Sequence, residues 1–477
     1  MIEEYFNLWN SCRDAFRSRS VWERAARLGT GSLLCLGRHS VTGLISATGM
    51  QDKDWSADYR LFERERIDGE MIFGRIRQEV ISRLPDSAPL VTFMDDTLMR
   101  KKGRKVSGTA WKRDPNGPKF CNNFIWATRF LQISGALEEA DRPGSCRGIP
   151  FMLRHCPTPK RPSRKAPAWA HAEYEILKKE MRISVKGAEA IKDLRASMDS
   201  KPESSLRELV ISVDGGYTNK TVVRELPPRT TLIGRIRKDA KLYSVPVDDK
   251  SPHRGRKRYY GQLLPTPEKT RQDDAVSWTE VKAFASDRVH TFKIKFIPVV
   301  RSRIGGERNM SLLIVQPLRY RLSKKTRLLY RNPAYLICTD TSLSPEKILQ
   351  WYLWRWQIEV NFRDQKSLIG MEEASVWTAG SIRNLPQLIA ISYAFMQLSF
   401  TKNGQERKTV YKLPKWRRST APKRLSTCMM ISEMRNQIWG LGLGSGNLSH
   451  FRNSNSAVTK LVKFKPSLEN AVYYAHR

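Results

Sequence analysis

Apolar residues in the first 85 positions recur at the three- and four-residue spacing of amphipathic helices. Two series show this spacing most clearly: Ile2, Tyr5, Phe6, Leu8 and Trp9, then Val21, Trp22, Ala25 and Leu28. The pattern predicts an N-terminal helical region. A turn and short helix at 37–50 have two interpretations, a helix-turn-helix that presents Arg38 to a DNA groove or an ordinary helix capped by Ser40.

After residue 86 the pattern changes to short apolar runs rich in β-forming residues and separated by turn-forming residues. These runs predict strands at Leu90–Met94, 120–134, 148–156, Leu209–Val213, 230–240 and 334–340. A long polar segment at 170–198 predicts one helix between the third and fourth strands. Strands and helices in this order predict a mixed α/β fold.

A second helix is predicted at 344–371, in the segment SPEKILQWYLWRWQIEVNFRDQKSLIGM. Ser344 suits the N-cap position and Gly370 the stop, and no Gly or Pro interrupts the helix after its first position. Most faces are apolar and rich in tryptophan, which predicts burial. One stripe carries Tyr352, Arg355, Glu359 and Lys366 at spacings of three, four and seven residues. Its charges either pair internally, as Arg355 with Glu359, or face a cleft that holds a metal or a phosphate.

Acidic residues follow two of the predicted strands. Asp95 and Asp96 come directly after Leu90–Met94 and precede the basic loop RKKGRK at 100–105. Asp214 comes after Leu209–Val213 and precedes two glycines, which would let a ligand approach the backbone closely. Each position has an alternative interpretation as an ordinary turn aspartate.

The stripe Tyr352–Arg355–Glu359–Lys366 resembles the YREK signature of bacterial insertion-sequence transposases of the DDE type. The resemblance covers about 85–400 and implies an RNase H-like core in which two strand-end aspartates meet a helical glutamate. It implies a catalytic and metal-binding trio of Asp96, Asp214 and Glu359, with Asp96 preferred to Asp95 because a threonine follows it. It also implies Mg²⁺, with Mn²⁺ as a substitute, since three carboxylates can hold two such ions.

The resemblance further assigns DNA contacts. Arg355 and Lys366 are expected on phosphates at the element end, and Tyr352 near a distorted base. The basic loop supplies candidates for phosphate binding in Lys101, Lys102 and Arg104. Trp278 is either a stacking platform for a displaced base or a core residue, and Tyr259 and Tyr260 are weaker candidates for stacking.

The predicted organisation has five parts. They are an N-terminal helical DNA-binding domain at 1–85, the first part of the RNase H-like core at 86–240, a β-rich basic insertion at 241–330, the second part of the core with the YREK helix at 331–400, and a helical C-terminal tail at 401–477. The tail is expected to contain a basic linker, a helix at about 425–439 and a Gly-rich turn at 440–447, and to serve dimerisation or DNA contact.

The amino-acid composition indicates which classes of partner the chain is expected to bind. Lys and Arg outnumber Asp and Glu by 84 to 47, a formal net charge of +37, which indicates a polyanion and most simply nucleic acid. The longest apolar run, at 388–400, is too short and too polar to span a bilayer, so no membrane association is expected. The seven dispersed cysteines favour reduced thiols over a zinc site at Cys146, His155 and Cys156.

The resemblance, together with the basic composition, implies a bacterial, cytoplasmic, nucleoid-associated transposase that acts as a homodimer on double-stranded DNA. The expected reaction is Mg²⁺-dependent excision and strand transfer of an insertion sequence through hairpin ends. Two alternatives remain at this point: a catalytically silent, transposase-derived DNA-binding protein, and an RNase H-like nuclease or resolvase without strand transfer.

Overall fold

A computed structural model describes residues 1–115, 117–118, 120–140, 142–246, 258–321, 326–401, 416, 424–442, 466 and 468–476. Most of the predicted basic linker and residues 443–447 of the predicted Gly-rich turn lie outside these residues, whereas residues 440–442 of that turn end the helix Thr427–Gly442.

Five helices form the N-terminal region: α1 (Ile2–Ser11), α2 (Arg19–Leu34), α3 (Val41–Ala47), α4 (Ser56–Glu63) and α5 (Gly69–Ile81). Three of them begin at a side-chain cap, since Ser18, Ser40 and Asp68 each accept a hydrogen bond from a backbone N–H of the first turn. The helical spacing seen in the sequence therefore corresponds to real helices, and their apolar faces are buried.

The sheet contains strands β1 (Leu90–Arg100), β2 (Ala110–Arg113), β3 (Phe124–Glu138), β4 (Cys146–Cys156), β5 (Leu209–Val213), β6 (Thr230–Arg235), β7 (Thr279–Ala285), β8 (Arg288–Val300), β9 (Met310–Val315) and β12 (Ala334–Cys338). In its first half, β4, β3 and β1 pair antiparallel, and β1, β5 and β6 pair parallel. This mixed sheet with its helices has the arrangement expected of an RNase H-like core, and the predicted α/β fold class is confirmed.

The strands predicted for the insertion do not form a separate sheet. Beyond β6 the same sheet continues through β12, β9, β8 and β7, and β12 pairs antiparallel with both β6 and β9. Two short strands, β10 (Arg319–Tyr320) and β11 (Leu329–Tyr330), form a ribbon of their own. The inserted strands β7–β9 are therefore hydrogen-bonded through β12 into the same sheet as β1, β5 and β6.

Helices cover the sheet between and after its strands: α6 (Ala168–Glu180), α7 (Ile183–Asp199), α8 (Pro202–Ser205), α9 (Lys220–Arg224), α10 (Pro267–Gln272), α11 (Pro345–Trp354), α12 (Trp356–Ser367), α13 (Ala379–Thr401), α14 (Thr427–Gly442) and α15 (Leu468–Tyr473). The single helix predicted at 170–198 is two helices. The first helix, α6, buries no residue, whereas α7 packs one face against the protein, so the two helices differ in burial although the sequence suggested one continuous element.

Helix α13 joins the N-terminal helices to the sheet. Seventeen of its 23 residues are buried, and it lies against α1, α2, α4 and α5 on one side and β4 on the other. The Trp9 and Phe395 rings meet edge to face at 5.0 Å, and Tyr5 Oη shares a 2.8 Å hydrogen bond with Ser392 Oγ. The N-terminal helices thus share one hydrophobic core with α7, α13, α14 and residues of β1, β3, β4 and β5. No helix among the described residues is long and apolar enough to cross a membrane.

Candidate active site

The parallel pairing of β1 with β5 determines where the acidic residues lie. This pairing ends at Met94 opposite Val213, so Asp95 and Asp214 follow it on neighbouring strands. Strand β1 itself does not end there as predicted, because its pairing with β3 continues to Arg100. Asp95 and Asp96 therefore lie within β1 where it separates from β5, whereas Asp214 directly follows the end of β5, as predicted.

The two adjacent aspartates of β1 point to opposite faces of the sheet, as successive strand residues must. Asp95 faces α12, where Arg355 Nη1 lies 3.1 Å from its Oδ2. Asp96 faces away: its Oδ1 accepts a 2.7 Å hydrogen bond from Tyr217 Oη, and its Oδ2 lies 3.3 Å from Arg129 Nε. The structure thus brings Asp95, and not the predicted Asp96, towards the helix that carries Glu359.

Arg355 links the strand and helix carboxylates. Its Nη2 donates to Glu359 Oε1 at 2.9 Å while its Nη1 binds Asp95. The predicted internal Arg355–Glu359 pair is therefore present, and it also includes Asp95. Burial, followed by the nearby Asp214 carboxylate, raises the pKa of Asp95 to about 7, although Arg355 acts in the opposite direction.

Asp214 is held by its own turn. Its Oδ1 accepts hydrogen bonds from the backbone N–H groups of Gly216 at 2.8 Å and Tyr217 at 3.3 Å. Tyr217 in turn donates to Asp96, so the turn is anchored to β1. Asp214 is therefore both a turn aspartate, as the alternative interpretation predicted, and a neighbour of Asp95. Tyr217, which anchors this turn to β1, was not predicted from the sequence.

The predicted single helix at 344–371 is broken at Arg355. The Trp351 carbonyl accepts a 3.1 Å hydrogen bond from Ser212 Oγ of β5, and the Arg355 N–H donates to the Tyr352 carbonyl. This break separates α11 from α12 and leaves Trp356, which was expected in the core, 60% exposed. The predicted N-cap Ser344 is present, and Gly370 adopts a left-handed φ of 59° after α12.

Residues 184–394 match the family of the transposase DDE domain. This match supports a DDE transposase. Asp214 and Glu359 lie inside the matched segment, whereas Asp95 and Asp96 precede it. A search of curated proteins found no match.

Two residues of the predicted stripe, Tyr352 and Lys366, contact other side chains or backbone groups of the chain. Tyr352 is half-buried, with its ring centroid 5.8 Å from the Arg355 guanidinium carbon. Lys366 donates from Nζ to the Leu98 carbonyl, and Nζ lies 3.7 Å from Glu372 Oε2. Burial lowers the pKa of Lys366. Lys366 therefore lies along the β1–α12 junction, and Tyr352 lies beside Arg355.

Trp278, the predicted stacking candidate, packs against the protein. Its half-buried ring lies 4.7 Å from the ammonium of Lys295, which is 1% exposed. Lys295 Nζ also donates to the carbonyls of Thr270, Arg271 and Asp273 at the end of α10. This geometry agrees with the alternative interpretation of Trp278 as a core residue.

We expect Trp278→Ala to lower the free energy of unfolding by about 2 kcal/mol, because it leaves a cavity and removes the aromatic partner of a buried ammonium. DNA affinity of the folded variant should equal that of the wild type in a fluorescence-anisotropy titration. A loss of DNA affinity with an unchanged urea midpoint would instead mean that the indole contacts DNA. The exposed Trp169 on α6 provides the control, Trp169→Ala, which should change neither quantity.

The remaining predicted DNA contacts converge on a different pocket. Arg38, Lys101 and Lys102 line one cavity of about 800 Å³, and Arg104 is exposed on the same loop as the two lysines. Arg38 donates to the Glu373 carbonyl and to Ser375 Oγ. The cap that Ser40 gives to α3 favours the ordinary capped helix, but Arg38 is held toward the cavity.

Proposed function

We propose that this chain is a transposase that excises an insertion sequence and joins its ends to target DNA by Mg²⁺-dependent phosphodiester chemistry, through hairpin ends. The observation that carries the proposal is that Arg355 links Asp95 to Glu359 where β1 separates from β5, while Asp214 follows β5 and lies near enough to Asp95 to raise its pKa. The catalytic trio proposed is therefore Asp95, Asp214 and Glu359, with Asp95 in place of Asp96.

The donor set suits a hard divalent cation such as Mg²⁺ or Mn²⁺, because all three groups are carboxylates. The raised pKa of Asp95 reflects a buried, negatively charged neighbourhood that a cation would relieve. Among the described residues, no three acidic, histidine or cysteine side chains lie close enough together to hold a metal as they stand. At present Arg355 supplies the positive charge between Asp95 and Glu359.

When bound, a pair of such ions would activate a water or a 3′-hydroxyl and stabilise the leaving oxygen. The residues of the chain supply binding and orientation. Arg355 is available to pair with a phosphate once it leaves the carboxylates, and Lys366 extends the positive charge about three helical turns further along α12. The turn hydrogen bonds on Asp214 fix one carboxylate oxygen and leave the other open.

The proposed partners are double-stranded DNA, as element ends and as target, and a second copy of the chain that holds the other end. The net charge of +37 supports the DNA partner. Such a protein would act in the bacterial cytoplasm at the nucleoid.

The test is cleavage of duplex DNA that carries the ends of the source element, comparing the wild type with Glu359→Gln. We expect Mg²⁺-dependent hairpin and strand-transfer products from the wild type, loss of these products with EDTA, and loss of roughly 10²-fold or more activity in the variant, since a carboxylate that holds a metal is worth several kcal/mol. DNA binding should be retained in the variant, because neutralising a carboxylate does not weaken phosphate contacts.

Binding without cleavage by the wild type would favour the silent DNA-binding protein. Cleavage without joined products would favour the nuclease or resolvase. Full cleavage by Glu359→Gln would mean that the Arg355–Glu359 pair is only structural.

A further inference from the structure

Exposed aromatic side chains line a concave pocket away from the three carboxylates. Trp111 and Trp126 face each other across β2 and β3, with ring centroids 5.5 Å apart and an interplanar angle of 69°. Phe124 lies on the same strand as Trp126, and Trp377 lines the pocket from the segment that follows α12. Trp111 is 62% exposed and Trp377 66% exposed. Four large aromatic groups therefore border a cavity of about 800 Å³ that is open to solvent.

Positive charge surrounds these aromatic rings. Arg38, Arg100 and Lys102 are exposed at the pocket, and Lys101 lies deeper, with its Nζ on the Glu372 and Ala374 carbonyls. Two carboxylates are also present but already have partners: Glu372 accepts from the Arg100 N–H and pairs with Lys366, and Glu373 accepts from the His39 N–H.

The pocket and the carboxylates lie on one face of the sheet. Asp95 pairs with Gln132 on β3, and Trp126 is six residues from Gln132, so the side chains of all three point to the same face. Six strand residues span about 20 Å, which corresponds to about six nucleotides of a stacked DNA strand. Lys366 lies between the two sites, since it reaches Leu98 on β1 and pairs with Glu372 at the pocket wall.

We propose that this pocket, bordered by Trp111, Trp126, Phe124 and Trp377, binds an unpaired DNA nucleotide of the strand that passes over the carboxylates. An indole face can stack on any base, but only on a base that has left the duplex. Lys102 would hold the flanking phosphates together with Arg100, whose Nη2 also pairs with Asp114 Oδ2 at 2.8 Å, as the combination of aromatic groups with basic residues allows. The proposal deepens the proposed function and rests on it for the path of the strand.

A second copy of the chain is a poorer occupant. Interfaces between proteins exclude charged residues from their centres, whereas three exposed cations surround these rings. Two copies that each carry +37 also repel one another, whereas a nucleic acid strand neutralises the charge.

The test compares the double variant Trp111→Ala/Trp377→Ala with the wild type in anisotropy titrations without divalent metal. The probes are labelled oligo(dT), a blunt duplex, and the same duplex with a short oligo(dT) overhang. We expect the double variant to lose about 10-fold or more affinity for oligo(dT) and for the overhang, since stacking on aromatic groups supplies much of such binding. Its affinity for the blunt duplex should be unchanged.

The matched control is Trp169→Ala, which removes an indole of similar exposure, 68%, from helix α6 outside the pocket and should change no affinity. Equal losses for blunt and unpaired DNA, or no loss for either, would overturn the proposal. A dimer that becomes a monomer in the double variant by light scattering would show an interface between copies and overturn it as well. The titrations need no cleavage, so a wild type that fails to cut DNA but shows the oligo(dT) effect would refute the proposed function alone.

Discussion

Asp95→Asn should reduce DNA cleavage by about 10³-fold, because a lost metal-binding carboxylate is worth several kcal/mol and each 1.36 kcal/mol or so is tenfold in rate. The substitution keeps the shape of the side chain and its distance to Arg355, so the fold should be preserved. The measurement is single-turnover cleavage of element-end DNA with Mg²⁺, together with a DNA-binding titration that should show no loss.

The neighbouring substitution Asp96→Asn is the matched control. It changes the same residue type at the next position of the strand, but on the face that binds Tyr217 and Arg129. We expect a loss of about 10-fold or less, because the turn that holds Asp214 would loosen but no proposed metal-binding group would be removed. The opposite ranking, with Asp96→Asn inactive and Asp95→Asn active, would restore the assignment made from the sequence.

The second large effect is expected at Trp9. Its indole is fully buried, meets Phe395 of α13 edge to face, and lies so close to Gly29 that a Cβ there would come within 2.6 Å of the ring. Trp9→Ala should therefore lower the free energy of unfolding by about 3–5 kcal/mol. Urea denaturation followed by circular dichroism measures this change, and Trp169→Ala should stay within about 0.5 kcal/mol of the wild type.

The shape of the Trp9→Ala transition is also informative. Because α1 and α2 share a core with α13, we expect the N-terminal helices and the sheet to unfold together. A separate early transition confined to the N-terminal helices would mean that residues 1–85 fold as an independent domain, as the predicted domain organisation assumed.

Much of the local structure follows from sequence patterns. The apolar run Leu209–Val213 matches β5 residue for residue, and the Ser344 cap sits at the start of α11 as predicted. These features depend on contacts within a few residues, which is why spacing and capping rules find them.

The parts that sequence patterns missed depend on distant contacts. The break at Arg355 depends on Ser212, which is distant in the chain and donates a hydrogen bond to the Trp351 carbonyl that would otherwise accept one from the Arg355 N–H. The choice between Asp95 and Asp96 depends on which face of β1 receives α12, and both faces of that strand are largely buried, so no alternation marks it. The aromatic pocket is likewise assembled from separate segments, and the sequence patterns indicated its basic residues Arg38, Lys101 and Lys102 but none of its aromatic residues.

The way in which β12 joins the sheet has a mechanical consequence. Strand β12 is hydrogen-bonded on both edges, to β6 and to β9, and α11 begins seven residues after it ends. The inserted strands are thus joined to the catalytic half as a single backbone lattice, unlike a lid on a hinge. If the proposed DNA partner binds β7–β9, a force on these strands would pass through the hydrogen-bonded sheet to the start of the helix pair that carries Glu359. Binding of DNA there would then be mechanically coupled to the position of the Glu359 carboxylate.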